Sequence, residues 1–406
     1  MIKVLQLTCT LNSGSVGRIA EDIGRLANLN GFDSYFGYGS KRNESQLKTI
    51  QVGSNFDMYV HAIESRLFDN HGFSSKSATL KFIEKIKEIN PDIIHLHNAH
   101  GYYINIEALF NYIRERNIQV VWTLHDCWPL TGHCSFFDMA NCEKWKTQCH
   151  NCPNTHKYPA SLFFDFSTRN YELKKALFSN LNNVTIVTPS VWLSDIVKRS
   201  FLSNYPVEVI NNGIDLNAFK PMDTLSVEQK YNLKNKKVIL GVASVWDKRK
   251  GLADFIELSK LISSEKLIIL VGLNKSQQKN LPSNIIGIAR TENLSELATL
   301  YSYASVFVNP TYVDNFPTTN LEALACGTPV ITYNTGGSPE SVSEVTGFIV
   351  EKGDINTLLE RINQILSVDK QKYSLACREK AEQLYDKNRK FVEYIQIYKQ
   401  KLNLSK

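Results

Sequence analysis

Several things are missing from this sequence, and each absence narrows its class. No run approaches the ~18 uninterrupted apolar residues of a membrane-spanning helix, so the chain is not expected to cross a bilayer. The opening Met1-Ile-Lys-Val-Leu-Gln-Leu-Thr8 is too short and too polar for a secretory leader, and reads as a first strand. A cytoplasmic location is therefore expected, with the eight cysteines reduced, and a secreted solute-binding protein is disfavoured. There is no internal repeat and no low-complexity tract. The lysine-bearing stretches at 234–237 and 248–250 are too short for a nucleic-acid surface, so no nucleic-acid partner is expected.

What is present describes an ordinary globular protein. The 406 residues are 43% hydrophobic and 21% charged, with a net charge of +6, and their number suffices for two domains with full cores. The mild basicity suits an anionic ligand or an anionic membrane surface, although a solvated exterior explains it equally well.

Short apolar runs alternate with stretches of helical period. Ile2 to Leu7, Asp92 to His97, Gln119 to Leu124 and Val184 to Thr188 read as strands. Ser15 to Asn28 and Ala78 to Ile89 read as helices. The alternation resumes with strands at Lys237 to Ala243, Leu267 to Val271, Val306 to Asn309 and Val330 to Thr332. This is the pattern of parallel sheets covered by helices, an α/β class. The polar stretch from Asn211 to Asn235, with Pro221 inside it, separates two such sheets. The expected domains are 1–210 and 211–385, with a final segment 386–406. Arg378 to Leu402 reads as one helix whose aromatics (Tyr385, Phe391, Tyr394, Tyr398) pack back on the body, expected to be the first domain.

The most informative stretch is Asp314-Asn-Phe-Pro-Thr-Thr-Asn-Leu-Glu322. A buried strand ends at Asn309, Pro317 suits the first turn of a helix, and Gly327 suits the position just past its end. Such a helix start offers the N–H groups of Thr318, Thr319 and Asn320 to an anion. Asp314 and Glu322 lie on either side and can accept hydrogen bonds from sugar hydroxyls. A diphosphate carrying sugars, as in a nucleotide-sugar, fits this arrangement. Arg249-Lys250-Gly251 follows another strand and can neutralise the same diphosphate, where a solvated charged turn is the plain alternative. Asn334-Thr-Gly336-Gly337-Ser-Pro-Glu340 is a further glycine-bearing loop expected to approach the ligand.

In the first half, Gly14-x-x-Gly17 lies between a strand and a helix, either a ligand-approach loop or a simple tight turn. His97 and Asn98 end a strand on the side where open α/β sheets bind ligands, and His95 reads as structural. His125-Asp126 ends the next strand. It would orient an acceptor hydroxyl or take its proton, or else cap the following loop. Cys134, Cys142, Cys149 and Cys152 lie in an insert spanning 127–152. They suit a structural zinc stapling a loop with no core, although the spacing leaves disulfides or free thiols open. Next comes a helix with a core-facing stripe expected at Leu173, Ala176, Leu177 and Leu181. Phe163 and Phe164 before it suit either the core or, with Arg169, Lys174 and Lys175, a membrane surface or lipid carrier.

Together these motifs resemble the family 4 retaining glycosyltransferases. Glu322-Ala-Leu-Ala-Cys-Gly-Thr-Pro-Val, Gly336-Gly-Ser-Pro-Glu340 and Arg249-Lys250-Gly251 resemble the family's donor-binding signature. His125-Asp-Cys-Trp-Pro-Leu-Thr-Gly-His-Cys134 through Asn151-Cys-Pro153 resembles a subgroup making bacterial capsular and colanic-acid-like polysaccharides. The resemblance implies the GT-B fold: two Rossmann-like domains with parallel sheets facing across a cleft. It places Asp314 at the first position of the family's E-x7-E pair, on donor-sugar hydroxyls, with Glu322 on the ribose. Lys250 and Arg249 would bind the diphosphate together with Phe316, Pro317, Thr318 and Thr319, and Gly14 and Gly17 would serve it from the other domain. His125 and Asp126 would stand by the reacting sugar and acceptor, with His97 and Asn98 on the acceptor side. Asp314 is one methylene shorter than the family's glutamate. Val245 stands near the place where the family has an arginine before Lys250.

The implied activity is metal-independent, retaining transfer of a sugar from a UDP- or GDP-sugar to a hydroxyl of a lipid-linked glycan or oligosaccharide. The implied setting is capsule, exopolysaccharide or O-antigen biosynthesis, at the cytoplasmic side of the inner membrane with peripheral contact. No cofactor is implied for catalysis. A nucleotide-sugar epimerase and a non-catalytic sugar-nucleotide binder are the alternatives.

Overall fold

A computed structural model describes residues 1–41 and 43–404, so positions 405–406 of the expected last segment lie outside the described residues. The chain divides into two compact units, one formed by 1–211 with 391–406 and the other by 212–390.

The first unit is built on a parallel sheet of β1 (Ile2–Leu11), β2 (Phe32–Lys41), β3 (Lys48–Gln51), β4 (Ile93–Leu96), β5 (Gln119–Thr123), β6 (Val184–Thr188) and β7 (Val207–Val209). Their order in the sheet is β3-β2-β1-β4-β5-β6-β7. Alternate residues of the inner strands β1, β4, β5 and β6 feed two cores. Leu5, Ile94, Trp122 and Ile186 pack on one face with Phe82, Phe110 and Phe178 from helices. Val4, Ile93, Val121 and Val187 pack on the other with Ile19, Ile23, Phe391 and Tyr398. Strands buried on both faces lose the polar alternation of half-exposed ones, which is why they read as short continuous apolar runs.

The second unit repeats the plan with β8 (Lys237–Val242), β9 (Lys266–Val271), β10 (Ile285–Ile288), β11 (Val306–Asn309), β12 (Val330–Tyr333) and β13 (Gly347–Val350). Their order is β10-β9-β8-β11-β12-β13, again all parallel. In each sheet the order reverses once, between β1 and β4 in the first and between β8 and β11 in the second. Neighbouring connections leave such a point in opposite directions, so a crevice opens at the carboxyl ends of its strands.

Two sequence expectations are corrected. Arg378 to Leu402 is not one helix: Gln371–Leu384 ends, and Lys387–Lys401 begins after a break at Tyr385 and Asp386. The break is a backbone bridge, with the Ile214 N–H donating to the Tyr385 carbonyl (2.7 Å) and the Lys387 N–H to the Ile214 carbonyl (3.1 Å). Beyond it, Phe391, Tyr394, Ile395 and Tyr398 are buried in the first unit, each worth ~1.5–3 kcal/mol relative to exposure. The stripe expected on Ser167–Phe178 is also displaced. Leu177 and Leu181 are buried, but Leu173 is exposed and Lys174 takes an inward position beside Tyr171 and Phe178.

Candidate active site

In the second unit the expected donor residues gather at the β8/β11 reversal. After β8, Asp247 caps a tight turn by accepting from the N–H groups of Arg249 (3.0 Å) and Lys250 (3.2 Å). Gly251 follows with φ +73°, and a Cβ there would lie 2.2 Å from the Pro310 carbonyl oxygen. Only glycine lets this turn lie against the loop after β11. The Tyr312 N–H donates to the Arg249 carbonyl (2.8 Å) and the Arg249 guanidinium donates to the Val313 carbonyl (3.1 Å). The two basic side chains thereby reach Asp314: Lys250 Nζ donates to Oδ2, and Arg249 stands 4.0 Å from the same oxygen. Burial works to raise the Asp314 pKa, but Lys250 and Arg249 hold it below the ordinary carboxylate value.

The helix after this loop is Thr318–Ala325, with Pro317 extended at its N-cap (φ −69°, ψ 120°). The Asn320 N–H turns back to the Pro317 carbonyl (3.2 Å), so it is not available to an anion as the sequence suggested. The N–H groups of Thr318 and Thr319 have no hydrogen-bond partner among the described residues and remain for one. Phe316 is buried in the core against Tyr385 and its carbonyl accepts from Asn212 Nδ2 (2.8 Å), which leaves its N–H to a ligand. Glu322 sits one turn into the helix and accepts from the buried Tyr301 hydroxyl (2.9 Å). The Gly336–Gly337 loop does make a close approach, but to Asp314 itself. A Cβ on Gly336 would lie 1.9 Å from the Asp314 carbonyl oxygen, which also accepts from the Gly337 N–H (3.2 Å).

Beneath the helix start lies a buried polar network that sequence reading missed. Asn320 accepts from Asn309 (2.8 Å) and donates to Ser341 (2.8 Å) and Ser338 (3.3 Å), while Ser338 bonds Thr332 (2.6 Å). These side chains tie β11, β12 and the following turn to one point. The available signal was polar residues (Asn309, Thr332) closing otherwise apolar strands.

In the first unit the expected residues gather at the β1/β4 reversal. Gly14 opens the Gly14–Leu29 helix at φ +68° with open space around it. Gly17 has a different role, because a Cβ there would lie 2.7 Å from the Thr10 carbonyl oxygen, so glycine lets the helix pack on the end of β1. His95 is a core residue, held by Tyr398 (2.6 Å) and Thr123 (2.8 Å). Asn98 lies beside Cys9, and its carbonyl accepts from the Tyr103 hydroxyl.

His97 and His125 form a chain with a definite proton order. Gln6 donates through Nε2 to the Ala20 carbonyl (2.8 Å), so its Oε1 accepts from His97 Nε2–H (3.0 Å). His97 is neutral, its pKa pushed well below the usual value by burial, so its Nδ1 is an acceptor. His125 Nε2, 3.1 Å away, must then carry the proton, which leaves His125 Nδ1 as a bare base. Burial lowers the His125 pKa to about 4, so the ring is neutral near pH 7. Asp126 caps the next turn through the Trp128 N–H (2.9 Å) and also pairs with His100 (2.9 Å). Burial works to raise the Asp126 pKa, but His100 and the Trp128 N–H hold it low. Neither Gln6 nor His100 was singled out from the sequence.

The cysteine insert has only 3-10 turns (Trp128–Leu130, Asp138–Ala140, Lys144–Lys146) and is held from outside. Lys174 donates to the Trp128 (2.9 Å) and Thr131 (3.0 Å) carbonyls, Tyr171 donates to the Trp145 carbonyl, and His133 pairs with Asp69. Burial pulls the Lys174 pKa down to about 7. Cys134, Cys142, Cys149 and Cys152 all line one cavity of about 10 Å³, and Cys149 Sγ accepts from the Gly132 N–H (3.2 Å). All are free thiols. As their side chains stand, no group of three or more His, Cys, Asp or Glu among the described residues forms a metal-ligand set.

The comparisons with known proteins bear on both units. Residues 44–218 match the family model described as Glycosyltransferase Family 4, and residues 224–390 match that of Glycosyl transferases group 1. The chain belongs to the family 4 glycosyltransferases. It is 23% identical over 373 residues to the putative colanic acid biosynthesis glycosyl transferase WcaC of Escherichia coli, covering 88% of this chain and 90% of that protein. It is 25% identical over 197 residues (46% of this chain, 52% of the relative) to the N,N'-diacetylbacillosaminyl-diphospho-undecaprenol alpha-1,3-N-acetylgalactosaminyltransferase of Campylobacter jejuni. Among solved structures it resembles the sucrose-phosphate synthase of Thermosynechococcus elongatus (TM-score 0.72, 18% identity, all of both chains). It also resembles Anabaena HepE in complex with UDP-glucose (TM-score 0.67, 15% identity, 98% of this chain and all of that one). The fold is GT-B, two parallel-sheet Rossmann-like domains. No helix among the described residues is long and apolar enough to cross a membrane.

Proposed function

We propose that this glycosyltransferase moves a sugar, with retention, from a UDP- or GDP-sugar to a hydroxyl of a lipid-linked glycan during assembly of a capsular or related polysaccharide. The observation that carries the donor assignment is the β8/β11 crevice. There two cations from the turn after β8 meet the loop–helix unit after β11, which supplies two unpartnered helix-start amides and two carboxylates. The colanic-acid and diphospho-undecaprenol relatives support the polysaccharide and lipid-linked parts of the reading. On this reading the protein works at the cytoplasmic face of the membrane, in peripheral contact with it.

The chemistry follows from where charge develops. Breaking the bond from C1 to the diphosphate puts negative charge on the leaving oxygen and positive character on the sugar. Lys250, Arg249 and the Thr318 and Thr319 amides stabilise the leaving group, which is the work a metal ion does elsewhere. Asp314 already holds Lys250, so donor hydroxyls reaching Asp314 meet a carboxylate that is fixed and ionised. The acceptor oxygen bonds to C1 on the face the diphosphate leaves, and its proton passes to the departing phosphate oxygen. No carboxylate nucleophile is required. Neutral His125 positions the sugar or acceptor through its bare Nδ1. For the insert we propose a structural zinc on Cys134, Cys142, Cys149 and Cys152. Four thiols around one small cavity support it, and binding requires them to rotate onto the ion and lose their protons.

Glu322→Ala tests the donor site. Loss of a charged hydrogen-bond acceptor for the ribose should weaken donor binding by about 10- to 100-fold and abolish measurable transfer while the fold persists. Near-normal turnover would refute the assignment.

A further inference from the structure

The Asn55–Phe68 helix is turned inside out. Its fully buried residues are the polar His61 and Ser65, with His61 fixed by the Gly72 N–H (3.1 Å) and the Ser75 hydroxyl (2.9 Å), and half-buried Met58 is the apolar side chain of this helix that packs on the core. Its apolar residues recur at 56, 59, 60, 63 and 67, the spacing of a helical stripe, on the opposite side. Phe56 is 72% exposed and Tyr59 65%, with Ile63 exposed and Val60 and Leu67 half-buried. A surface helix in a protein that only meets water carries the reverse pattern.

A second element extends the same surface. The Leu162 N–H donates to the Arg66 carbonyl (2.8 Å), and Phe164 stacks on Phe68 with ring centroids 6.2 Å apart. This brings exposed Leu162, Phe163 (72% exposed) and Phe164 to the carboxyl end of the helix, beside exposed Phe68, and extends the apolar surface there. Its rim is cationic. Arg66, Lys157 and Arg169 are exposed at one end, and Lys76 and Lys81 at the other. Of the acidic neighbours, Asp57 is committed to the Ser54 N–H and hydroxyl, and Asp165 to the Cys152 and Ser167 N–H groups, leaving Glu64. The inner edge is continuous with the candidate site. Exposed Tyr158 packs edge-on to Tyr102, and its hydroxyl lies 3.4 Å from His100 Nδ1, whose Nε2 pairs with Asp126.

We propose that the solvent face of the Asn55–Phe68 helix and the Leu162–Phe164 loop together form a docking surface for an anionic phospholipid bilayer. The apolar side chains enter the acyl boundary, and the rim cations meet phosphate headgroups. An acceptor anchored in that bilayer would present its polar end along Tyr158 and His100 toward Asp126. The biological purpose rests on the proposed transfer to a lipid-linked acceptor, but the physics of docking does not.

The test is co-sedimentation of the full chain with vesicles containing phosphatidylglycerol and, separately, with vesicles of phosphatidylcholine alone. Binding is expected to the anionic vesicles and should weaken with added salt. The pair Phe163→Ser with Phe164→Ser, and separately Phe56→Ser with Ile63→Ser, should each reduce partitioning about tenfold or more. Both variants alter exposed side chains, so melting temperature should hold, and so should the stabilisation by UDP- or GDP-sugar measured on the same samples. No binding to anionic vesicles, or binding indifferent to both variants, overturns the proposal. So does a wild-type dimer that these substitutions dissociate, which would make the face a contact between copies. Vesicle failure with donor stabilisation intact refutes the docking surface alone. Vesicle binding without any donor stabilisation refutes the sugar-transfer reading and leaves the docking surface standing.

Discussion

At Gln6 an amide in the middle of an apolar strand is fixed by the Ala20 carbonyl, and from that bond the protonation of two histidines follows. Gln6→Leu should therefore release His97 to take either tautomer, and His125 with it. Nitrogen NMR of the imidazoles reads this directly. In the wild type His125 should carry its proton on Nε2, and in the variant the two tautomers should mix, with turnover falling about tenfold. That is less than the ~100-fold or more that complete loss of a positioned acid–base group costs, because part of the His125 population keeps the productive tautomer. An unchanged His125 tautomer in Gln6→Leu would contradict the relay. Strand-end position sufficed to place His97, His125 and Asp126 together from the sequence, because a carboxyl end is where side chains meet a crevice. It could not find Gln6, His100 or Tyr301, whose roles come from partners far away in the chain. The same limit misread Lys174, whose cation is buried because two backbone carbonyls of the insert face it.

At the scale of elements, strands buried on both faces were legible as apolar runs, whereas β2, β3, β7, β10 and β13 were not. β2 carries Gly37 and Gly39, and β7 is short with two of its three residues exposed. The break between the last two helices was invisible because it is made by Ile214, a residue of another segment. The loop–helix unit from Asp314 to Glu322 was readable because turn chemistry, capping and charge all lie within a few residues. The cysteine insert is where element-level reading and structure diverge most, since its four thiols share a cavity and Cys134 meets Cys152, but no three ligands converge among the described residues. Metal analysis of the purified protein should find about one zinc per chain, released with loss of stability on chelation. A stable, metal-free protein would contradict the zinc and leave the Lys174, Tyr171 and His133 bonds to hold the insert.

For the whole molecule, buried histidines set a stability trend with pH. Burial holds His61 and His95 to about 3 and His125 to about 4, below the unfolded value of 6.5. The folded state therefore refuses protons that the unfolded chain accepts. This contribution is complete above about pH 6.5 and is lost as pH falls toward 4, at about 1 kcal/mol per pH unit for each ring. Asp126 and Asp314, with lowered pKa values, push the same way at lower pH. His133 opposes the trend, because its bond to Asp69 outweighs burial and raises it. Chemical unfolding should show a clear loss of stability between about pH 7 and about pH 5. A flat profile would mean that these rings are not neutral and buried as described.

The central claim is that the β8/β11 crevice of the second unit receives a sugar-linked diphosphate on Lys250, Arg249 and the Thr318–Thr319 amides. Calorimetric titration of UDP- and GDP-sugars into wild type and Lys250→Ala tests it most directly. Saturable binding of a nucleotide-sugar is predicted for the wild type, weakened about 10- to 100-fold in the folded variant by loss of one charge-assisted contact. Wild-type protein that binds no nucleotide-sugar, or a Lys250→Ala variant that binds as tightly as wild type, would contradict it.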